Sequence, residues 1–110
     1  MKKIALGICL ILLFTAAGGS AASVEDNWKK HCASCHGKDG KGKTRAGRKT
    51  RVKDHTDAKV QAAYSDKQAF DNLKKGMKSD KGKVQMKPYA EKLSDAEITE
   101  LIAFVRKLAK

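Results

Sequence analysis

The sequence predicts an all-α domain of three to five helices, and three observations carry that prediction. Val24, Trp28, Cys32 and Cys35 recur at i, i+4, i+8 and i+11, which places them on one helical face. Ser65 with Gln68, and Ser94 with Glu97, each read as a capping box opening a helical run. No βαβ pattern is apparent around the cysteines, so nothing calls for a parallel sheet.

The chain opens with Lys2 and Lys3, an apolar run from Ile4 to Ala17, and small residues from Gly18 to Ser23. This is the layout of a secretory signal, and residues 1–22 are expected to be removed by cleavage after Ala22, with Ala21 as the alternative. A retained anchor fits less well, because the run is short for a membrane span and Gly7 and Thr15 interrupt it. The mature domain is then 23–110, 88 residues, exported to the periplasm. Cys9 leaves with the signal. Ile8 before it argues against lipid attachment there, where a small residue is wanted.

Charge and core size bound what such a domain can be. Removing Lys2 and Lys3 leaves 22 basic residues against 12 acidic ones, a formal charge of +10. That surface favours acidic protein partners and disfavours specific nucleic-acid binding, since no aromatic platform interleaves the lysines. Within 23–110 the aromatic residues are limited to Trp28, Tyr64, Phe70, Tyr89 and Phe104. A domain this small with so few large apolar side chains needs a staple or a cofactor to supply its core.

The first helix begins at Ser23, with Glu25 and Asp26 in its first turn, where the helix dipole favours acids. Trp28 is expected in the core, one turn before Cys32. Gly37, Gly40 and Gly42 end the helix in a lysine-rich loop. From Thr44 to His55 the chain is basic and poorly periodic, with Arg45, Arg48, Lys49, Arg51 and Lys53 around a lone Val52, and reads as a solvated loop. His55 is expected to be exposed within it. Asp57 to Tyr64 reads as a short helix carrying Val60 and Tyr64. The Ser65-capped helix buries Ala69, Phe70 and Leu73 and stops at Gly76. Met77 to Pro88 has no helical stripe and is expected to be a loop. The last helix, capped by Ser94, carries Ile98, Leu101, Ile102, Val105 and Leu108, with Phe104 at the stripe's edge. Its C-terminal end holds Arg106, Lys107 and Lys110.

The stretch Cys32-Ala33-Ser34-Cys35-His36 carries the chemistry. Two thiols at i and i+3 project from one helical face and can both reach the vinyl groups along one haem edge, and an imidazole follows at once to ligate the iron. A bare C-x-x-C could be a redox dithiol, half of a zinc site or a short disulfide. The first lacks its βαβ setting, the second lacks a second ligand pair, and the third would close too short a loop to stabilise much. Covalent haem c at Cys32 and Cys35, with His36 as iron ligand, is therefore the reading. Haem also supplies the missing core. Arg45, Arg48, Lys49, Arg51 and Lys53 are candidates to pair with a haem propionate.

An aromatic one turn before Cys-Ala-Ser-Cys-His-Gly, a glycine and lysine loop, a Ser-capped helix ending at Gly76, a Met86-Lys87-Pro88-Tyr89 segment and a closing Leu-Ser-Asp-Ala-Glu-Ile helix together resemble the small class I monohaem cytochromes c, in particular the bacterial c5- and c6-like members. The resemblance covers 23–110 and implies a cytochrome c fold around one haem. In that family the sixth ligand is a methionine in a loop shortly before the last helix, often next to proline. Carried over, this points to Met86, two residues before Pro88. Met77, His55 and His31 are the alternatives, the histidines implying a bis-His haem of lower potential. Many members also have a proline after the haem motif whose carbonyl accepts the ligand histidine's Nδ1 hydrogen. Here the only proline is Pro88, which leaves that partner of His36 to be found.

The expected function is electron transfer by a monomeric periplasmic carrier with His/Met axial ligation, docking transiently to acidic redox proteins, without membrane insertion and without catalysis of its own. The rivals are a small haem enzyme or gas-binding protein with a labile sixth ligand, and a haem subunit of a larger redox complex. No distal His or Arg pair that could cleave a peroxide bond is identifiable.

Overall fold

The computed structural model describes residues 22–110. The expected signal, residues 1–22, lies outside the described residues except for its last position. The elements are α1 (Val24–Asn27), a π-helical turn (Trp28–Cys32), α2 (Ala33–His36), α3 (Arg45–Thr50), α4 (Ala58–Ala62), α5 (Asp66–Lys75), strands β1 (Met77–Lys78) and β2 (Val84–Met86), and α6 (Asp95–Arg106). The helical fold matches the expectation.

α1, the π turn and α2 run on without a break. Ser23 caps the start, its hydroxyl accepting from the Asp26 N–H. At the π turn the Ala33 N–H reaches back five residues to the Trp28 carbonyl. The turn is wider than the α-helix that the spacing implies, and such turns mark functional positions. Trp28 and Cys32 nevertheless both face inward, at 4% and 8% exposure.

The two serine boxes form as the sequence reads. Ser65 accepts from the Gln68 N–H while Gln68 accepts from the Ser65 N–H, and Ser94 and Glu97 do the same for α6. α5 ends at Gly76, whose φ of 77° only glycine adopts without strain. α4 is capped by Asp57, whose carboxylate accepts from the Lys59 N–H.

Two segments expected as loops carry structure. Within Thr44–His55 the short helix α3 forms, capped by Thr44, whose hydroxyl accepts from the Gly47 N–H. Its stripe is unreadable because it rests on backbone contacts with α2, not on apolar side chains. Within Met77–Pro88, β1 and β2 pair antiparallel as a small hairpin, Met77 opposite Met86 and Lys78 opposite Val84. Strands of two and three residues are too short to show an alternation.

The core lies where the N-terminal helix crosses α6. Trp28, Cys32, Leu93, Ile98, Leu101 and Ile102 form its buried cluster among the described residues. The Trp28 and Phe104 rings pack at 5.1 Å between centres, tilted by 41°. At the rim, Asn27 Nδ2 donates to Glu97 Oε2 at 2.8 Å, which ties α1 to the cap of α6. Among the described residues Ile98 and Leu101 are the most fully enclosed large side chains, while Phe70, Leu73 and Tyr89 are left half-buried beside them.

Candidate functional site

Cys32 closes the π turn, Cys35 lies on the next helical turn, and His36 ends α2. Both thiols are free. Burial pushes the Cys32 thiol up to about 11, and the neighbouring Cys35 adds to the rise. A redox dithiol needs the opposite, a depressed thiol that exists as thiolate. Among the described residues no three or more His, Cys, Asp and Glu side chains are placed to hold a metal ion between them. The two thiols and His36 therefore do not converge on a point as a zinc site requires.

His36 is arranged as an iron ligand would be. Burial pushes its pKa down to about 4, with His55 contributing next, so the imidazole is neutral at physiological pH and keeps a free lone pair. Its Nδ1 is sealed in the protein with no hydrogen-bond partner, whereas Nε2 is not sealed. The Trp28 ring stands 5.7 Å away and is itself fixed, its Nε1 donating to the Gly37 carbonyl at 3.1 Å.

The loops behind the motif hold its carbonyls. Thr44 Oγ1 donates to the Cys35 carbonyl at 2.7 Å, and the Gly42 N–H donates to the His36 carbonyl at 2.8 Å. Tertiary donors thus satisfy the otherwise orphaned end of α2. α3 presses against that end so closely that a Cβ on Gly47 would run into the Cys35 carbonyl oxygen. Neither Thr44 nor Gly47 stands out in the sequence. A Thr three residues before a Gly is a weak cap signal, and the contact it serves is tertiary.

Met86, half-buried, ends β2 and so comes from a separate element. Met77, opposite it in the hairpin, is 42% exposed, which makes Met86 the more enclosed of the two. The Tyr89 hydroxyl donates to the His31 carbonyl at 2.8 Å, and the two rings meet edge to face. His55 corrects the sequence reading. It is half-buried, not exposed, because its N–H donates to the Gly40 carbonyl and its ring stands 5.3 Å from that of His36. Arg45, Arg48, Lys49, Arg51 and Lys53 are exposed on and after α3, and the ion pairs among the described residues, Lys67–Asp71, Lys74–Asp95 and Arg106–Asp66, involve none of them.

These features fit a haem. The donor set is two free thiols and one neutral imidazole within five residues of one helical segment, with one ring nitrogen left open and the other turned inward. The sparse core, with half-buried Phe70, Leu73 and Tyr89 at its edge, suits a flat apolar group that would cover them.

A helical domain with such a motif defines the class, a small monohaem c-type cytochrome. The chain belongs to the family described as cytochrome c oxidase, cbb3-type, subunit III, whose model matches residues 19–105. Among solved structures it is similar to the KustC0563 c-type cytochrome, with 29% identity, a TM-score of 0.69, and coverage of 81% of this chain and 100% of that one. Comparison with curated proteins gives no match. The family's members typically carry electrons through haem.

Proposed function

We propose that the protein is a periplasmic electron carrier that binds one haem c through Cys32 and Cys35, with His36 and Met86 as axial ligands. The observation that supports this most directly is the state of His36: neutral, inward through Nδ1 and open at Nε2, one residue past a free thiol. When bound, haem supplies a one-electron couple at its iron. Cys32 and Cys35 would hold its edge to the helix, and the Thr44 and Gly42 donors hold the Cys35–His36 turn still. The Met86 thioether, opposite His36, would favour the ferrous state and close the iron to substrates. Keeping both ligands in both oxidation states would limit rearrangement during transfer. The surplus of lysines would steer acidic partner proteins to the surface.

The test is the ferric absorption spectrum of the haem-loaded protein and its Met86→Ala variant. The wild type should show the weak methionine-to-iron charge-transfer band at the red end of the visible range. The variant should lose it, bind carbon monoxide when reduced, and show a lower potential. An unchanged spectrum in the variant would move the assignment to Met77 or His55, and carbon monoxide binding by the wild type would favour a haem enzyme or gas-binding protein.

A second reading is favoured by the family's description as an oxidase subunit: the domain would be a fixed haem subunit of a larger redox complex. Purification from the periplasm as a free monomer would argue against it, and co-purification with stoichiometric partners would support it.

A further inference from the structure

His36 Nδ1 is the one buried side-chain nitrogen or oxygen without a partner among the described residues, and of the two aromatic rings beside His36, that of His55 is the nearer, 5.3 Å between ring centres against 5.7 Å for Trp28. We propose that in the haem-loaded protein His55 is a positioning residue that accepts the Nδ1 hydrogen of His36, standing in for the backbone carbonyl that usually orients a haem-ligating histidine. This rests on the reading above, in which His36 ligates iron through Nε2 and so must carry its hydrogen on Nδ1.

The surroundings of His55 decide which of its own nitrogens is free. Gln61, 6% exposed, donates through Nε2 to the carbonyls of His55 and Val105, both at 2.7 Å. That fixes its amide, because only the NH₂ group can serve two carbonyls. Its Oε1 then faces Arg106, which donates from Nη1 at 3.1 Å, and the Tyr64 hydroxyl at 3.4 Å. Tyr64 has a single hydroxyl hydrogen. Given to Gln61 Oε1, it leaves the Tyr64 oxygen to accept from His55 Nδ1, 3.3 Å away. A neutral His55 holding its hydrogen on Nδ1 presents a bare lone pair at Nε2, and among the described residues the one buried donor that needs an acceptor is His36 Nδ1.

The chain of donors thus runs one way, from His36 through His55 and Tyr64 to Gln61. Its far end is anchored to α6 by Arg106, which lies over the Tyr64 ring at 4.4 Å and donates to the Gln61 and Tyr64 carbonyls. The bond to His36 is not yet made in the polypeptide alone. With ring centres 5.3 Å apart, nitrogens turned towards each other would lie about 3 Å apart, and a turn of the His36 ring about its broad terminal torsion leaves the His55–Tyr64 contact in place.

An acceptor on Nδ1–H makes the ligand more basic and stabilises ferric iron, so its removal raises the reduction potential. The test compares haem-loaded wild type with His55→Leu, His55→Gln and Tyr64→Phe. It reads the potential and, by NMR of the reduced protein, the solvent exchange of the His36 Nδ1 hydrogen. His55→Leu should raise the potential and speed exchange by up to about tenfold. His55→Gln, which restores an acceptor, should return both towards wild type, and Tyr64→Phe should move both in the direction of His55→Leu by less. Unchanged values in His55→Leu, or equal shifts in the Leu and Gln variants, would overturn the proposal. Should His55→Leu fail to take up haem, Tyr64→Phe decides: the stated directions support the proposal and unchanged values overturn it. A wild type lacking an iron-shifted His36 resonance would instead refute the ligation reading itself.

Discussion

Cys32 and Cys35 lie on successive turns of one helical segment, and their separate roles follow from what surrounds each. Cys32 sits inside the core beside Trp28, whereas Cys35 is half-buried and its carbonyl is gripped by Thr44. Replacing both by Ala should abolish covalent haem, read as loss of colour from the denatured polypeptide. Survival of the haem signal would remove the attachment site. Gly47 is the residue whose importance is least visible in composition. Because a Cβ there meets the Cys35 carbonyl, Gly47→Ala should force α3 away from the haem-binding turn and cost about 1–3 kcal/mol, measured as a lower denaturation midpoint of the haem-loaded protein. Cys32, Cys35 and His36 are proposed from their spacing alone, and Met86 only through resemblance. His55 was not legible, because its burial depends on a hydrogen bond to Gly40 from a distant turn and on a ring contact that no local pattern encodes.

Element by element, the helices announced by side-chain caps are the ones the chain made readable. Ser65 with Gln68 and Ser94 with Glu97 act within four residues, so their signal survives in the sequence. α3 and the β1–β2 hairpin escaped notice because α3 is secured by tertiary donors and the strands are minimal. The Ser94 box has a testable pH signature. Glu97 is held below the usual carboxylate range, first by the Ser94 backbone N–H and then by Asn27. A carboxylate whose folded pKa is depressed stabilises the fold at pH above its unfolded value, and that contribution fades as pH falls through the carboxylate range. Thermal midpoints of the haem-loaded wild type should therefore decline more steeply than those of Glu97→Ala as pH falls through the carboxylate range; parallel curves there would deny Glu97 this role. Ser94→Ala should cost about 1 kcal/mol through loss of the cap, measured by denaturant titration.

For the whole molecule, the decisive quantity is how little apolar core the polypeptide closes by itself. Leu101→Ala removes one of its two best enclosed side chains and should cost about 2–5 kcal/mol, enough to impair folding of so small a domain. At the surface, residues 23–110 carry a formal charge of +10, so under the proposed docking, reduction by an acidic partner should slow steeply with added salt, since screening acts over about 10 Å at 0.1 M; a flat response in stopped-flow kinetics would contradict lysine-guided docking. Among the described residues no helix is long and apolar enough to cross a membrane. The central claim is that one covalently bound haem completes the core and performs the function. The most direct test is the intact mass of the purified protein after denaturation. The account predicts the mature polypeptide plus one haem, with the mass of the bare polypeptide found only in unfolded material. A folded, colourless protein carrying no added mass would contradict it.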